Sequence, residues 1–197
     1  MDKIKLFLDF DSTLVNTNEV ALNILNNKYG TSYKIEELKK YDYSDLFPDV
    51  NSMILKRIFE SDELFENITF VEYCFDYIEL HPDDFDITIV TKSTENIDPK
   101  KALWLNENFP SGLDYRVEFI RPYESKSKVD MSGGIFIDDV TDNLLESNAP
   151  MNILYAPNKT EWNTVASNTN LFVVSSWNEI NEILEFFVTT WGVFKSL

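Results

Sequence analysis

The chain has 197 residues, 44% of them hydrophobic and 14% aromatic, which supplies one sizeable core or a core with a small appendage. Its 17 basic residues face 34 acidic ones, a net charge of −17, and such a surface repels nucleic-acid polymers and anionic membranes. The single cysteine, Cys74, excludes an intrachain disulfide framework, and with one histidine, His81, it leaves too little material for a zinc site or a Cys/His dyad.

Lys5-Leu6-Phe7-Leu8-Asp9 is a short apolar run that reads as a buried strand ending on an acid. The next stretch, from about Asn16 to Leu80, is helical in pattern: Asn18 to Tyr29, Ile35 to Lys40, Val50 to Phe59 and Val71 to Leu80. Within it, Phe70 to Phe75 reads as part of an amphipathic helix with Cys74 as core filler. Tyr41 to Pro48 reads as an aromatic, acidic loop. Strand patterns return at Asp86 to Thr91, Val117 to Ile120, Gly134 to Asp138, Asn152 to Tyr155 and Leu171 to Val174. Helical patterns lie between several of them, at Pro99 to Phe109, Thr141 to Ser147 and Trp177 to Phe187. Pro99 suits a first helical turn, with Asp98 as its N-cap. Strands alternating with helices predict a parallel sheet covered on both faces. The predicted organisation is an α/β core over residues 1–15 and 81–197, with residues 16–80 as a helical cap inserted after the first strand. No apolar run reaches the ~20 residues that span a bilayer, and no signal-like segment opens the chain, so a cytoplasmic protein is expected.

Ligands of open α/β sheets sit outside the carboxyl ends of the strands, so the polar residues there carry the argument. Asp9 and Asp11, two positions apart in an extended segment, face one side. A second strand ends in Thr91, followed by Lys92. A third ends in Asp138-Asp139, with Lys128 ten positions before the first of these. Hard carboxylate oxygens suit Mg²⁺, which also grips substrate phosphate. In such a site Asp9 attacks phosphorus to form an aspartyl-phosphate, and Asp11 serves as general acid and base. Thr91, Lys92 and Lys128 hold phosphoryl oxygens, and Lys126 is read as a solvated charge. Asp9, Asp11, Asp138 and Asp139 are the candidate metal ligands. A plainer alternative makes Asp9 and Asp11 turn caps and Asp138-Asp139 a helix N-cap.

The segment Asp9-Phe10-Asp11-Ser12-Thr13-Leu14-Val15 resembles motif I of the haloacid dehalogenase (HAD) superfamily, and Thr91, Lys128 and Asp138-Asp139 resemble its later three motifs in order. The resemblance implies a Rossmannoid HAD-like fold and Mg²⁺-dependent phosphomonoester hydrolysis. A narrower likeness is to 5′(3′)-deoxyribonucleotidases, carried by Leu64 to Ile68, Lys100 to Phe109, Lys126 to Asp139, and Ser176 to Ile180. Motif I of those enzymes usually reads DMDGV rather than DFDST, and Lys92 stands where they often have a small hydroxyl residue. This likeness implies a (deoxy)nucleoside monophosphate as the small-molecule substrate, and a monomer or homodimer is expected. Other small phosphomonoesters, a sugar phosphate or a phospho-amino acid, are the alternative within enzymes, and a catalytically idle binding module is the alternative outside them. The rings of Tyr41, Tyr43 and Phe47 are the candidates for stacking on a nucleobase, whereas Trp104 and Trp177 read as core or interface.

Overall fold

The computed structural model describes residues 3–166, 169 and 171–194. Six strands, β1 (Ile4–Leu8), β2 (Phe85–Lys92), β3 (Tyr115–Ile120), β4 (Gly134–Asp138), β5 (Met151–Tyr155) and β6 (Phe172–Val174), form one sheet in the order β3-β2-β1-β4-β5-β6. Every pairing is parallel. The central strands β1 and β4 are apolar along almost their whole length because helices cover both faces. Gly134 allows their close approach. A Cβ there would stand 2.7 Å from the Phe7 ring and 2.8 Å from the Lys5 carbonyl oxygen.

Successive connections run from β1 toward β2 and β3 on one side and from β4 toward β5 and β6 on the other. The order of strands therefore reverses between β1 and β4, and a crevice opens outside their carboxyl ends. This is the parallel, helix-flanked sheet that the alternating pattern predicts.

Four helices lie between β1 and β2: α1 (Thr17–Tyr29), α2 (Ser52–Phe59), α3 (Asp62–Asn67) and α4 (Asp76–Leu80). Their ends follow local rules. Gly30, at φ 67°, closes α1 in the left-handed conformation that needs no Cβ. The Asn51 side chain accepts from the Met53 and Ile54 amides, and Ser61 accepts from Leu64, so each caps the following helix. Two differences from the sequence reading stand out. Ile35 to Lys40 yields only a 3-10 turn, Ile35–Glu37, and α3 forms where no helix is predicted.

Residues 70–75 do not continue the following helix either. Val15 and Phe70 form an antiparallel bridge, the Val71 amide donates to the Leu14 carbonyl at 2.8 Å, and Asn16 donates to Thr69 at 3.1 Å. These backbone groups are spent on holding together the two strands by which the chain leaves and re-enters the sheet region. Tyr73 then takes φ 68°, and the helix starts only at Asp76. Cys74 is buried core, as its neighbours suggest.

Three helices complete the fold: α5 (Asp98–Asn108), α6 (Thr141–Glu146) and α7 (Trp177–Phe194). Ile97 rather than Asp98 caps α5, with Pro99 in its first turn. Trp104 and Trp177 are both buried, and Trp177 Nε1 donates to the Thr13 carbonyl at 2.8 Å, so α7 pins the loop after β1. Among the described residues no helix is long and apolar enough to cross a membrane.

Candidate active site

The site begins where β1 stops. The Asp9 amide continues the ladder by donating to the Ile137 carbonyl at 2.9 Å, which places Asp9 beside the end of β4. Phe10 turns into the core, so Asp9 and Asp11 emerge on the other side, as alternation requires. Ser12, at φ 59°, then turns the chain sharply. Asp11 is oriented by the Thr17 hydroxyl, which donates to its Oδ1 at 3.0 Å.

Asp138 and Asp139 end β4 and differ in what they do. Asp138 is fully buried and spends both oxygens. Oδ1 accepts from the Val140 amide at 2.8 Å and from Asn143, and Oδ2 accepts from Asn143 at 3.1 Å and Lys126 at 2.7 Å. Among the described residues Asp139 accepts one side-chain bond, from Trp162 Nε1 at 3.0 Å to Oδ2, and it lines the crevice. Asp9, Asp138 and Asp139 each offer a carboxylate oxygen within 4.8 Å of one another. Asp11 stands outside that triad.

The lysine at the centre is Lys126. Its side chain is 2% exposed and its Nζ donates to both Asp9 Oδ1 and Asp138 Oδ2. Lys126 is therefore not the solvated charge that the sequence reading makes it, and Lys128, the expected phosphate lysine, lies away from the carboxylates. Lys128 is 59% exposed, pairs with Glu124, and faces a separate cleft beside Lys5 and Asp130. The cause is local. Residues 126–128 make a single 3-10 turn, in which positions two apart point about 120° away from each other, so only one of the two lysines faces the carboxylates.

A second buried lysine, Lys101, has no assigned role in the sequence reading. Its Nζ donates to Asp11 Oδ2, to the Thr91 hydroxyl at 2.7 Å and to the Lys92 carbonyl at 3.1 Å. The signal for it exists in the sequence. Lys101, Trp104 and Leu105 are the buried face of α5, at helical spacing, so a lysine occupies an apolar stripe. Thr91 is buried behind Lys101, and the crevice wall there is made by Lys92, Ser93 and Thr94. The Lys92 side chain is exposed at the rim.

Burial dominates the electrostatics. It pushes the Asp9 carboxyl up to about 7, Lys126 opposing and the carboxylates of Asp138 and Asp11 adding to the rise. Asp139 is likewise raised well above the ordinary carboxylate value, by burial and then by Asp138 and Asp9. Burial alone would lower the Lys126 ammonium, but Asp138 and Asp9 outweigh it and keep its pKa above that of a free lysine. A triad of crowded carboxylates with one internal cation has the hard-oxygen chemistry and the unbalanced charge that a divalent ion corrects.

The crevice above these groups has a volume of about 500 Å³, within the range of small-molecule sites. Asp9, Asp11, Lys126 and Asp139 line its floor, and Tyr41, Phe59 and Phe65 from the helical insertion line its upper part. Of the three loop aromatics, only Tyr41 reaches it, 69% exposed. Tyr43 is 1% exposed with its hydroxyl donating to Asn18, and Phe47 packs edge-on to Tyr33. Those two rings are core, because Tyr43 at φ 60° turns the loop inward.

Residues 2–190 match the model of the family described as 5′ nucleotidase, deoxy (Pyrimidine), cytosolic type C protein. The chain belongs to this family. Solved structures share the fold of this chain. A haloacid dehalogenase-like protein from Agrobacterium tumefaciens matches with a TM-score of 0.64 at 9% identity, over 94% of this chain and 99% of that one. A hydrolase of the haloacid dehalogenase-like family from Streptococcus pneumoniae matches at 0.61 and 12% identity, over 92% and 98%. YfnB from Bacillus subtilis, described as a HAD-hydrolase bound to magnesium with interdomain movement, matches at 0.61 and 12% identity, over 93% and 99%. No sequence among the curated proteins matches. This chain of the 5′ nucleotidase family is thus a phosphoric monoester hydrolase with a HAD-like fold.

Proposed function

We propose that this phosphatase hydrolyses deoxynucleoside 5′-monophosphates, pyrimidine forms first, through an aspartyl-phosphate on Asp9, with Mg²⁺ as cofactor. The observation that carries the reading is one crevice with a carboxylate-and-lysine floor and a wall of Tyr41, Phe59 and Phe65. Phosphate at the floor places a base against the rings, where stacking is worth ~1–3 kcal/mol. The segment between the two hinge strands serves as the cap that carries this wall. The family's description as deoxy, pyrimidine and cytosolic supports the substrate choice and a cytosolic location.

In the first step Asp9 Oδ2, which accepts no hydrogen bond among the described residues, attacks phosphorus as the bond to the sugar oxygen breaks. Asp11 gives the departing oxygen its proton, held in place by Thr17 and Lys101. In the second step Asp11 takes a proton from water, whose oxygen attacks the phosphorus and frees Asp9. Lys126 steadies Asp9 and the phosphoryl oxygens as charge builds. Asp9, Asp139 and the Asp11 carbonyl would hold Mg²⁺, which offsets the repulsion between the carboxylate nucleophile and the phosphoryl group, with Asp138 anchored behind them by Asn143 and Lys126.

Chelation with EDTA therefore stops turnover, and restored Mg²⁺ recovers it. Mg²⁺ should also raise the melting temperature at pH 8, by about 8 °C at 100 times its Kd. The raised Asp9 pKa fixes the sign of the pH dependence. Below about 7 the site takes up protons that Mg²⁺ must displace, so the thermal increment shrinks as pH falls from 8 to 6. An increment that is flat or grows on acidification contradicts this metal site. Tyr41→Ala should raise KM for thymidine 5′-monophosphate by roughly 10-fold with kcat nearly kept. An unchanged KM removes Tyr41 from the base wall. A phosphate-release screen that favours sugar phosphates over nucleotides rejects the substrate reading.

A further inference from the structure

Glu161 and Trp162 lie in the segment after β5 and touch both the helical insertion and the sheet edge. Toward the insertion, the Glu161 carboxylate accepts from the Tyr41 amide at 2.9 Å, and the Glu161 amide donates to the Lys39 carbonyl at 2.9 Å. The Trp162 indole stands edge-on to the Tyr41 ring, with centroids 5.8 Å apart. Toward the sheet, Trp162 Nε1 donates to Asp139 Oδ2 at 3.0 Å. The Trp162 carbonyl also accepts from the amide of Thr141, the first residue of α6, at 3.0 Å.

The turn that carries the indole is closed by its own neighbour. Asn163 is buried, accepts from the Thr160 amide at 2.9 Å and donates to the Asn158 carbonyl at 2.7 Å. The ring is less enclosed. It packs against the core, yet it also lines a second cavity of about 470 Å³, which shares Ser12, Asn18 and Asp139 with the crevice. Packing is lost on the cavity side, so the bond to Asp139 and the edge contact with Tyr41 fix the ring in place. The donor type matters as well. Lys126 holds Asp138 with an ammonium, whereas an indole N–H orients Asp139 and adds no positive charge. Asp139 is thus held without a rival to a metal cation.

We infer that Trp162 is a positioning residue that couples Asp139, a candidate Mg²⁺ ligand, to the nucleobase wall at Tyr41. The inference rests on the Mg²⁺ and nucleotide readings above. One ring touches both groups, so ordering Asp139 orders Tyr41, and coupling between two sites is reciprocal. Mg²⁺ and the base therefore strengthen each other's binding, although no hydrogen bond joins Tyr41 to Asp139 among the described residues.

The test is a calorimetric titration of the full chain with Mg²⁺ at pH 8, beside kinetics on thymidine 5′-monophosphate and on deoxyribose 5-phosphate, which lacks the base. Trp162→Phe keeps a ring against Tyr41 and loses the donor. It should weaken Mg²⁺ binding about 10-fold and leave KM for thymidine 5′-monophosphate at saturating Mg²⁺ within about 2-fold. Trp162→Leu loses both contacts, so it should also raise that KM about 5-fold while KM for deoxyribose 5-phosphate stays put. Tyr41→Leu keeps the backbone bond to Glu161 and should weaken Mg²⁺ about 3-fold in the unsubstituted chain, but not beside Trp162→Phe. A merely structural Trp162 lowers the melting temperature in both variants and moves the two KM values together. That result, unchanged Mg²⁺ affinity in a folded Trp162→Phe protein, or a Tyr41→Leu effect of equal size in both backgrounds overturns the inference. Equal KM values for the two substrates in the unsubstituted chain reject the nucleotide reading by itself. The Mg²⁺ cycle between Tyr41 and Trp162 then decides the coupling, because it uses no substrate.

Discussion

Asp9→Asn lowers phosphate release by at least about 10⁴-fold while the protein stays folded, because the substitution removes the attacking oxygen and little else. The position is 5% exposed at the end of the central strand, and an amide of the same shape keeps the packing. Stability should hold or rise at pH 8. Burial already penalises the Asp9 carboxylate, and Lys126 retains its bond to Asp138. The sign follows from linkage. A carboxyl raised from 3.8 to about 7 by folding costs stability above the lower value, and that cost is complete above the upper one, so removing it helps most at alkaline pH. The measurement is a steady-state assay beside a melting curve. A folded Asp9→Asn protein that still turns over with Mg²⁺ ends the covalent mechanism.

Lys126→Met carries the second large effect, and Lys128→Met is its control. Removing Lys126 leaves Asp9, Asp138 and Asp139 crowded together without their internal cation, and breaking a buried ion pair from one side costs ~3–5 kcal/mol. For a chain of this size that is a drop of about 10 °C in melting temperature at pH 8. The drop narrows toward pH 6, where Asp9 and Asp139, both raised by folding, take up protons and relieve the repulsion. Activity falls with it, by about 10³-fold, from the lost contact to Asp9 and the phosphoryl oxygens. Lys128→Met removes one exposed pair with Glu124, worth ~0–1 kcal/mol, and leaves turnover within about 2-fold. The reverse pattern, a tolerant Lys126 and a sensitive Lys128, returns the phosphate role to Lys128.

The two lysines show where sequence reading stops. Asp9, Asp11 and Asp138-Asp139 were legible because each follows an unbroken apolar run, and a parallel sheet delivers the carboxyl ends of its strands to one edge. Spacing favoured Lys128 over Lys126, whereas the turn they occupy decides by angle. The direction in which a short turn presents a side chain depends on what packs beside it, here Asp138 and Asn143. Lys101 was visible as a lysine on the buried face of a helix. Its partners, Asp11 and Thr91, lie 90 and 10 positions away in the chain, and only the packing of α5 on the sheet brings them together.

The aromatic loop divides in the same way. Composition marked Tyr41, Tyr43 and Phe47 together, yet the positive φ at Tyr43 buries two of the rings and leaves Tyr41 over the crevice, while Phe59 and Phe65 join it from α2 and α3. The sequence by itself determined the parallel α/β sheet, the helical insertion after β1 and the carboxylates at the strand ends, because those follow from local hydrophobic period and strand direction. Only the tertiary structure decided which lysine stands among the carboxylates, which loop ring lines the crevice and that a second cavity shares the Asp139 wall. Those depend on side-chain direction and on contacts between segments far apart in the chain, and neither is written in local pattern.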